Sequence, residues 1–157
     1  MVALDRTDVG LLTALQEDGR QTIKELAARV NLSTSATHER VRRLLADGVI
    51  SGIHAVLDPS HVGVGLQAMI QVRLQRHTWG AVTSFRDHAL SLPEVVAVTH
   101  VTGAADFLVH VAVRDTDHLR DLALEAFTTR DEVARLETSI VYEHVRVVTW
   151  PIYTAEG

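Results

Sequence analysis

Two short amphipathic segments within the first fifty residues each begin with a helix-capping signal and lie about three residues apart. Thr22 and Glu25 have the spacing of a capping box, and Ser33 is placed to cap the following segment, Thr34 to Ala46. Asn31 interrupts the apolar periodicity between them, and asparagine tolerates the left-handed backbone of a tight turn. Two short helices joined by so short a turn predict a helix-turn-helix.

A further helix is predicted before this pair. Asp5 is expected to cap it, with Asp8 in its first turn, and Asp18-Gly19 is expected to end it. Its apolar stripe at helical spacing is Leu4, Val9, Leu12 and Leu15. The third helix is expected to bury Ala36 or Thr37, together with Val41, Leu44 and Leu45.

The outer face of the third helix carries short hydroxyls, a histidine and charged side chains. Hydroxyls at its N-terminal end let the backbone approach a duplex, and arginine side chains contact phosphates or read guanine. An isolated basic helix is usually only a solvated surface, but the helix pair and the strand predicted after it favour DNA binding. The candidate DNA-binding residues are Ser33, Thr34, Ser35, His38, Glu39, Arg42 and Arg43.

The segment 49–58 is apolar, contains several β-branched residues and ends at Asp58-Pro59. It predicts a wing strand that continues into a linker. The predicted organisation is therefore a winged helix-turn-helix domain at residues 1–52, a strand linker at 53–65, and a second domain at 66–157.

The distribution of charge also indicates two modules. The net charge is −5, but the first fifty residues contain seven basic and seven acidic side chains, so the acidic excess lies entirely in the remainder. A neutral module can still bind DNA when its basic residues share one face. The absence of cysteine excludes disulfides and thiolate metal sites, and no apolar run or N-terminal leader indicates a membrane span or a signal peptide. A cytoplasmic protein is expected.

The second part alternates strand and helix patterns in the order β-α-β-β-α-β. Thr78 and Thr116 are expected to cap the two helices, and Pro93 to end the first. This order predicts an α+β fold in which a ferredoxin-like sandwich, a four-stranded antiparallel sheet backed by two helices, follows the winged helix-turn-helix. The predicted strands are 66–74, 95–102, 107–114 and 136–149.

One face of such a sheet would remain open and partly apolar. A half-apolar open face favours a sheet-to-sheet homodimer, which would present two recognition helices to a near-palindromic site. His100 and His110 are expected to face one another, as interface histidines rather than metal ligands, because no two histidines lie four apart on a helix. Depending on register, the face includes Val98, His100, Val109, Val111, Val141 and Val145.

Several short segments, in this order and spacing, resemble the Lrp/AsnC (feast/famine) family of transcriptional regulators. The resemblance runs from Leu4 to about Val148. In the first part it is carried by Leu26-Ala27, Val30-Asn31-Leu32-Ser33 and Arg40-Val41-Arg42-Arg43-Leu44. In the second part it is carried by Pro93-Glu94-Val95, Val101-Thr102-Gly103-Ala104-Ala105-Asp106-Phe107 and Thr138-Ser139-Ile140-Val141.

The resemblance implies dimers that assemble further, often into octamers, that bend DNA and that bind an amino acid or related metabolite between their C-terminal domains. Backbone N–H groups of the loop would hold the effector carboxylate, and Asp106 would meet its ammonium. The alternative is a plain hairpin turn in which Asp106 caps nearby backbone. The effector-binding residues implied are Gly103, Ala104, Ala105, Asp106, Thr138 and Ser139.

The chain departs from the family pattern at three places. Ile53 stands where an aromatic is common, Arg130-Asp131-Glu132-Val133 replaces a Pro-Gly-Val, and Ala104-Ala105 is smaller than usual, which leaves room for a larger effector side chain. The predicted function is a sequence-specific transcriptional regulator responsive to an amino acid, without enzymatic activity or cofactor. Two alternatives remain: an effector-independent DNA-bridging protein, and a histidine-dependent decarboxylase of sirohaem-type tetrapyrroles, which the basic recognition helix disfavours.

Overall fold

The computed structural model describes residues 3–153 and divides into two compact units. The first unit contains the described residues up to Val56 together with those from Val145 onward, and the second runs from Leu57 to His144. The predicted second domain, 66–157, therefore includes a C-terminal segment that packs in the first unit instead. None of the helices among residues 3–153 is long and apolar enough to cross a bilayer.

The first unit is built on three helices: α1 (Arg6–Glu17), α2 (Ile23–Val30) and α3 (Thr34–Ala46). The three predicted N-caps, Asp5, Thr22 and Ser33, are confirmed, since each side chain accepts a hydrogen bond from the backbone N–H three residues on. The predicted left-handed residue, Asn31, has φ 58° and ends α2. The core of this unit contains Leu11, Leu12, Ala14, Leu26, Val41 and Leu44.

The predicted end of α1 at Asp18-Gly19 is confirmed, because the helix runs to Glu17 and Asp18 is its C-cap, with an extended backbone. One detail of these helices was predicted wrongly. Leu45 is 45% exposed, because its neighbour Leu44 takes the inward position on α3 and the next residue along a helix points elsewhere.

The predicted wing strand is also wrong. Residues 51–58 form no strand, because no neighbouring strand within residues 3–153 supplies hydrogen bonds to them. Ile50 is held at the start of this segment by its N–H, which donates to the carbonyl of Leu44 at 3.1 Å. Ile53 and Val56 are exposed, so the segment presents apolar side chains without a partner.

The C-terminal segment joins the first unit through its backbone and one apolar side chain. The N–H of Trp150 donates to the side-chain oxygen of Gln16 on α1, and Ile152 packs against the helical core. Val145, Val147 and Trp150 nevertheless expose their side chains.

The second unit has the predicted β-α-β-β-α-β order, with strand order β2-β3-β1-β4 and every pairing antiparallel. A π-helical turn, Ala123–Thr128, extends the last helix, and a 3-10 helix, Pro59–Val62, precedes the sheet. The elements are β1 (Leu66–Leu74), α4 (Trp79–Ser91), β2 (Val95–His100), β3 (Phe107–Val113), α5 (Thr116–Leu122) and β4 (Val133–Ile140).

Several boundaries differ from the prediction. The last strand begins at Val133 rather than at residue 136, and the third ends at Val113 rather than at residue 114. The last strand ends at Ile140 rather than at residue 149, because its partner β1 begins at Leu66 and offers nothing to pair with beyond Val141. The second strand ends at His100 instead of residue 102. Asp115, not the following threonine, caps α5 by accepting the N–H of His118 at 2.8 Å.

The period of two along β1 decides which side chains face the helices. Ala68, Ile70, Val72 and Leu74 are buried on one side, where three phenylalanines fill the space beneath the helices. We call the opposite side the open sheet face, and the register shows which residues lie on it. Its central members are Met69, Gln71, Leu108, His110, Ala97 and Ser139.

The register overturns two expectations about that face. Val109 and Val111 do not line it, because both are fully buried on the helix side. His100 and His110 do not face one another: His100 pairs with Phe107 and stacks on it with ring centroids 4.8 Å apart, whereas His110 lies on the open sheet face. His110 is only 6% exposed and contacts Gln67 at 2.9 Å.

Candidate DNA-binding and effector sites

The outward face of α3 holds the predicted DNA-binding residues. Ser33, Thr34, Ser35, His38, Glu39, Arg42 and Arg43 are all exposed. Ser33 is occupied as the N-cap, since its Oγ accepts the N–H of Ala36 at 3.2 Å, and the same Oγ lies 3.2 Å from that of Ser35. The helix therefore begins with a cluster of hydroxyls at the end that a recognition helix directs into a groove.

Arg42 and Glu39 form an ion pair one helical turn apart near the middle of that face. Nε of Arg42 donates to one carboxylate oxygen at 3.0 Å, and Nη2 donates to the other at 2.9 Å. The Arg42 side chain is 71% exposed, so solvent screens the pair and its effect on stability is small. What the Arg42–Glu39 pair does fix is the direction in which the Arg42 guanidinium points.

Arg43 and Arg40 are held differently, by the carboxylate of Asp8 on α1. Asp8 is only 1% exposed, and accepts from Nη1 of Arg40 at 2.9 Å and from Nη2 of Arg43 at 2.7 Å. Arg40 also donates to Asp5 at 2.6 Å. We refer to Asp5, Asp8, Arg40 and Arg43 as the α1–α3 clamp.

The α1–α3 clamp fixes the recognition helix against α1 by charge as well as by apolar packing. Asp5 and Asp8 also bond each other's backbone N–H groups in a reciprocal capping box, so the carboxylates that hold α3 are themselves fixed at the start of α1. The backbone N–H of Asp8 first, and then Arg40, lower the pKa of Asp5, so it stays ionised at neutral pH.

The predicted effector loop joins β2 to β3. Gly103 has φ 114°, a backbone conformation that favours glycine. The carbonyl of Gly103 accepts from Nη1 of Arg73 at 2.9 Å, while no acceptor among the described residues pairs with the N–H groups of Gly103, Ala104 or Ala105. The loop therefore presents three neighbouring backbone donors.

Asp106 is buried, and both of its carboxylate oxygens already have partners within the chain. One oxygen accepts the N–H of Leu74 at 2.8 Å; the other lies 3.0 Å from Nδ1 of His77 and 3.5 Å from Nη1 of Arg73. Burial alone would raise the pKa of Asp106, but these partners outweigh it and hold that pKa below the ordinary value. The carboxylate ties the loop to the end of β1.

The two hydroxyls predicted with this loop lie elsewhere on the sheet. Thr138 pairs with Ile70 and Ser139 with Met69, so their side chains point to opposite faces. The loop instead adjoins the far end of β1, where Asp106 bonds to Leu74. Within one copy of the described chain, no hydrogen bond joins the hydroxyls to the loop.

Sequence reasoning missed the partners that hold these sites. Arg40 and Asp8 were not recognised as a pair. A signal for the contact was available: an acidic side chain lies in the first turn of one helix, and several arginines lie on another. Arg73 and His77 were not linked to Asp106, because only the β1–β3 register brings them together. Among residues 3–153, no group of three histidine or acidic side chains converges to bind a metal ion.

Comparison with known proteins identifies both units. Residues 4–51 match a family described as winged helix-turn-helix DNA-binding, and residues 67–150 match the Lrp/AsnC ligand binding domain. The chain belongs to the Lrp/AsnC family. It is a helix-turn-helix transcriptional regulator with an effector-binding domain, as its order of elements and its resemblance had predicted.

The relatives agree with this assignment. The HTH-type transcriptional regulator AldR of Mycolicibacterium smegmatis is 43% identical, over 91% of this chain and 84% of its own length. AldR of Mycobacterium tuberculosis is 41% identical, over 91% and 80%. A transcriptional regulator of Neisseria meningitidis, solved as its L-Met complex, is 32% identical and superimposes with a TM-score of 0.84 over 92% of this chain and 94% of that one.

Replacing Asp8 by asparagine tests the α1–α3 clamp. Asp8→Asn keeps the side-chain volume but removes two charge-assisted hydrogen bonds, so the first unit should lose about 1.5–3 kcal/mol of unfolding free energy. Urea denaturation followed by far-UV circular dichroism measures the loss. Asp47→Asn, at the exposed C-cap of α3, is the control and should change stability by no more than about 0.5 kcal/mol. Equal stability of the two variants would contradict the clamp.

The lowered pKa of Asp106 predicts a pH dependence for the second unit. Because the folded pKa lies below the ordinary value of 3.8, the stabilisation is fully present above 3.8 and is lost as the pH falls through the folded pKa. Asp106→Asn should therefore be less stable than the unchanged chain at neutral pH, and the gap should narrow as the solution is acidified. Urea titrations at a series of pH values measure this difference in unfolding free energy. Asp131→Asn, at an exposed position, is the control and should show no such dependence on pH. A gap that stays constant with pH would refute the assignment.

Proposed function

We propose that this Lrp/AsnC protein recognises a near-palindromic duplex through the outward face of α3 and alters its DNA binding when an amino acid occupies the second unit. The observation that carries the DNA half is the division of labour among the α3 arginines. Arg40 and Arg43 are engaged by α1, while Arg42 points outward among hydroxyls, His38 and Glu39.

The residues of the outward face have different roles in this proposal. Arg42 reads a base edge; Thr34 and Ser35, with His38, contact phosphates or bases near the start of the helix. Ser33 caps the helix by accepting the N–H of Ala36. Arg43, which is 48% exposed but tied to Asp8, contributes a phosphate contact rather than a base contact.

The effector half rests on the three unpaired backbone N–H groups of Gly103, Ala104 and Ala105. Adjacent N–H groups in such a turn form a concave site for an anion, which suits the carboxylate of an amino acid. Asp106 holds the loop in place, and Thr138 and Ser139 complete the site from another copy of the chain. The L-Met bound to the Neisseria meningitidis regulator supports an amino acid as the effector class.

The same proposal includes self-association. The segments 53–57 and 142–150 belong to no helix or strand and carry exposed apolar side chains. The open sheet face is also partly apolar. A second copy covering these surfaces would give a homodimer, and further contacts between dimers would give larger rings such as an octamer. Because the relatives are named transcriptional regulators, we assign the chain a role on DNA in the cytoplasm, without catalysis or a cofactor.

A thermal-shift screen of the protein amino acids against the full chain tests the effector half. A true effector should raise the melting temperature by mass action, by the equivalent of about 2.7 kcal/mol at one hundred times its dissociation constant. Ala104→Phe should abolish the shift, because a bulky side chain would cover the exposed N–H groups. The control Ala134→Phe, at an exposed position of β4, should retain it. A shift that survives Ala104→Phe would place the effector elsewhere.

The assembly is tested by placing a charge on the open sheet face. Leu108→Lys should convert dimers to monomers in sedimentation equilibrium, since an unpaired ammonium would be buried against the partner. Leu124 lies in the π-helical turn and is also exposed, so Leu124→Lys provides the same substitution away from that face and should leave assembly unchanged. Dissociation by both variants, or by neither, would overturn a sheet-to-sheet dimer.

A further inference from the structure

The geometry of the Arg42–Glu39 pair leaves one particular edge of the guanidinium available. Arginine has five N–H donors in one plane, and Glu39 occupies the one on Nε and one of the two on Nη2. The two hydrogens of Nη1 and the second hydrogen of Nη2 remain. Among residues 3–153, none of these has another acceptor, so they form an exposed fork.

This fork has the donor spacing that guanine requires. Guanine presents its O6 and N7 acceptors side by side in the major groove, and a bidentate arginine is the usual way of reading them. A phosphate can also accept two N–H groups from an arginine, but it carries a full negative charge that the carboxylate of Glu39 beside the guanidinium would repel. The presence of Glu39 against Arg42 therefore favours base reading over phosphate binding.

The α1–α3 clamp strengthens this argument. Since Asp8 engages Arg40 and Arg43, Arg42 is the α3 arginine whose guanidinium is not bonded to a carboxylate of α1. Glu39 and Arg42 together carry no net charge. The middle of the outward face therefore attracts a duplex only weakly by charge. It is better suited to hold the donor fork of Arg42 in a fixed direction.

We infer that Glu39 is a positioning residue that fixes Arg42 for bidentate reading of one guanine in each half-site. The inference rests on the proposed use of the α3 face for DNA. Glu39 raises discrimination for guanine and lowers affinity for unrelated duplex, so its removal should move these two quantities in opposite ways. If Glu39 acted through its charge alone, its removal would raise affinity for every duplex but would leave the discrimination for guanine unchanged.

The experiment begins with in vitro selection of duplexes by the full-length unchanged chain. Each guanine of the selected site is then replaced in turn by 7-deazaguanine, which lacks the N7 acceptor. At one guanine per half-site, the unchanged chain should lose about 5- to 150-fold in affinity. Arg42→Ala should bind the site more weakly and should show no added penalty at that guanine. Arg42→Lys should also bind more weakly and should show a smaller penalty than the unchanged chain, because an ammonium can donate to guanine but lacks the planar fork.

Glu39→Gln is the decisive variant. It should reduce the 7-deazaguanine penalty several-fold while binding an unrelated duplex more tightly than the unchanged chain. Asp117→Asn is the matched control, because Asp117 and Arg120 form the same kind of exposed pair, three residues apart at 2.8 Å, in the second unit. The control should behave like the unchanged chain in both measurements.

Two results would overturn the inference: no guanine at which 7-deazaguanine weakens binding by the unchanged chain, or a Glu39→Gln variant with an undiminished penalty. Failure of the proposed DNA interface would look different. In that case Arg42→Ala would bind selected and unrelated duplexes as tightly as the unchanged chain, with the same dependence on salt.

Discussion

The carboxylate of Asp8 is the interaction on which the first unit most depends for its function. A recognition helix must be held at a fixed angle, yet α3 buries only a narrow apolar stripe centred on Val41 and Leu44. Asp8 adds a buried anchor that takes two guanidinium groups from α3. Removing such a carboxylate would leave Arg43 without its partner and Arg40 with Asp5 alone, which is unfavourable even where the two cations are partly solvated.

The α1–α3 clamp also explains how a module without net charge can be selective for DNA. Arginines that contact phosphates provide affinity for every sequence, and that affinity falls with salt. Asp8 engages Arg40 and Arg43 and so reduces the positive charge that they offer to phosphates, which supports the proposal that recognition lies at the centre of the face. The neutral charge of the first fifty residues is then a property suited to discrimination rather than a sign against DNA binding.

The features that depend on local sequence could be predicted, and those that depend on distant contacts could not. The caps at Asp5, Thr22 and Ser33 and the left-handed Asn31 follow from neighbouring residues, and β1 follows from its alternation. The predictions of the wing strand and of the end of the last strand were wrong for the same reason. Both segments have strand-like composition, but a strand exists only where a partner strand is present.

The site around Asp106 shows the same limit, and it changes how the effector must be recognised. A loop rich in small residues and ending in aspartate suggested an ammonium ligand. Yet Leu74 and His77 occupy both oxygens of that carboxylate. If the proposed effector site is correct, the loop offers an amino acid its N–H groups, which suit the carboxylate end alone. In the site proposed above, partners for the ammonium come from other groups, and since Thr138 and Ser139 do not reach the loop within one copy, the proposal requires a second copy of the chain to build the site.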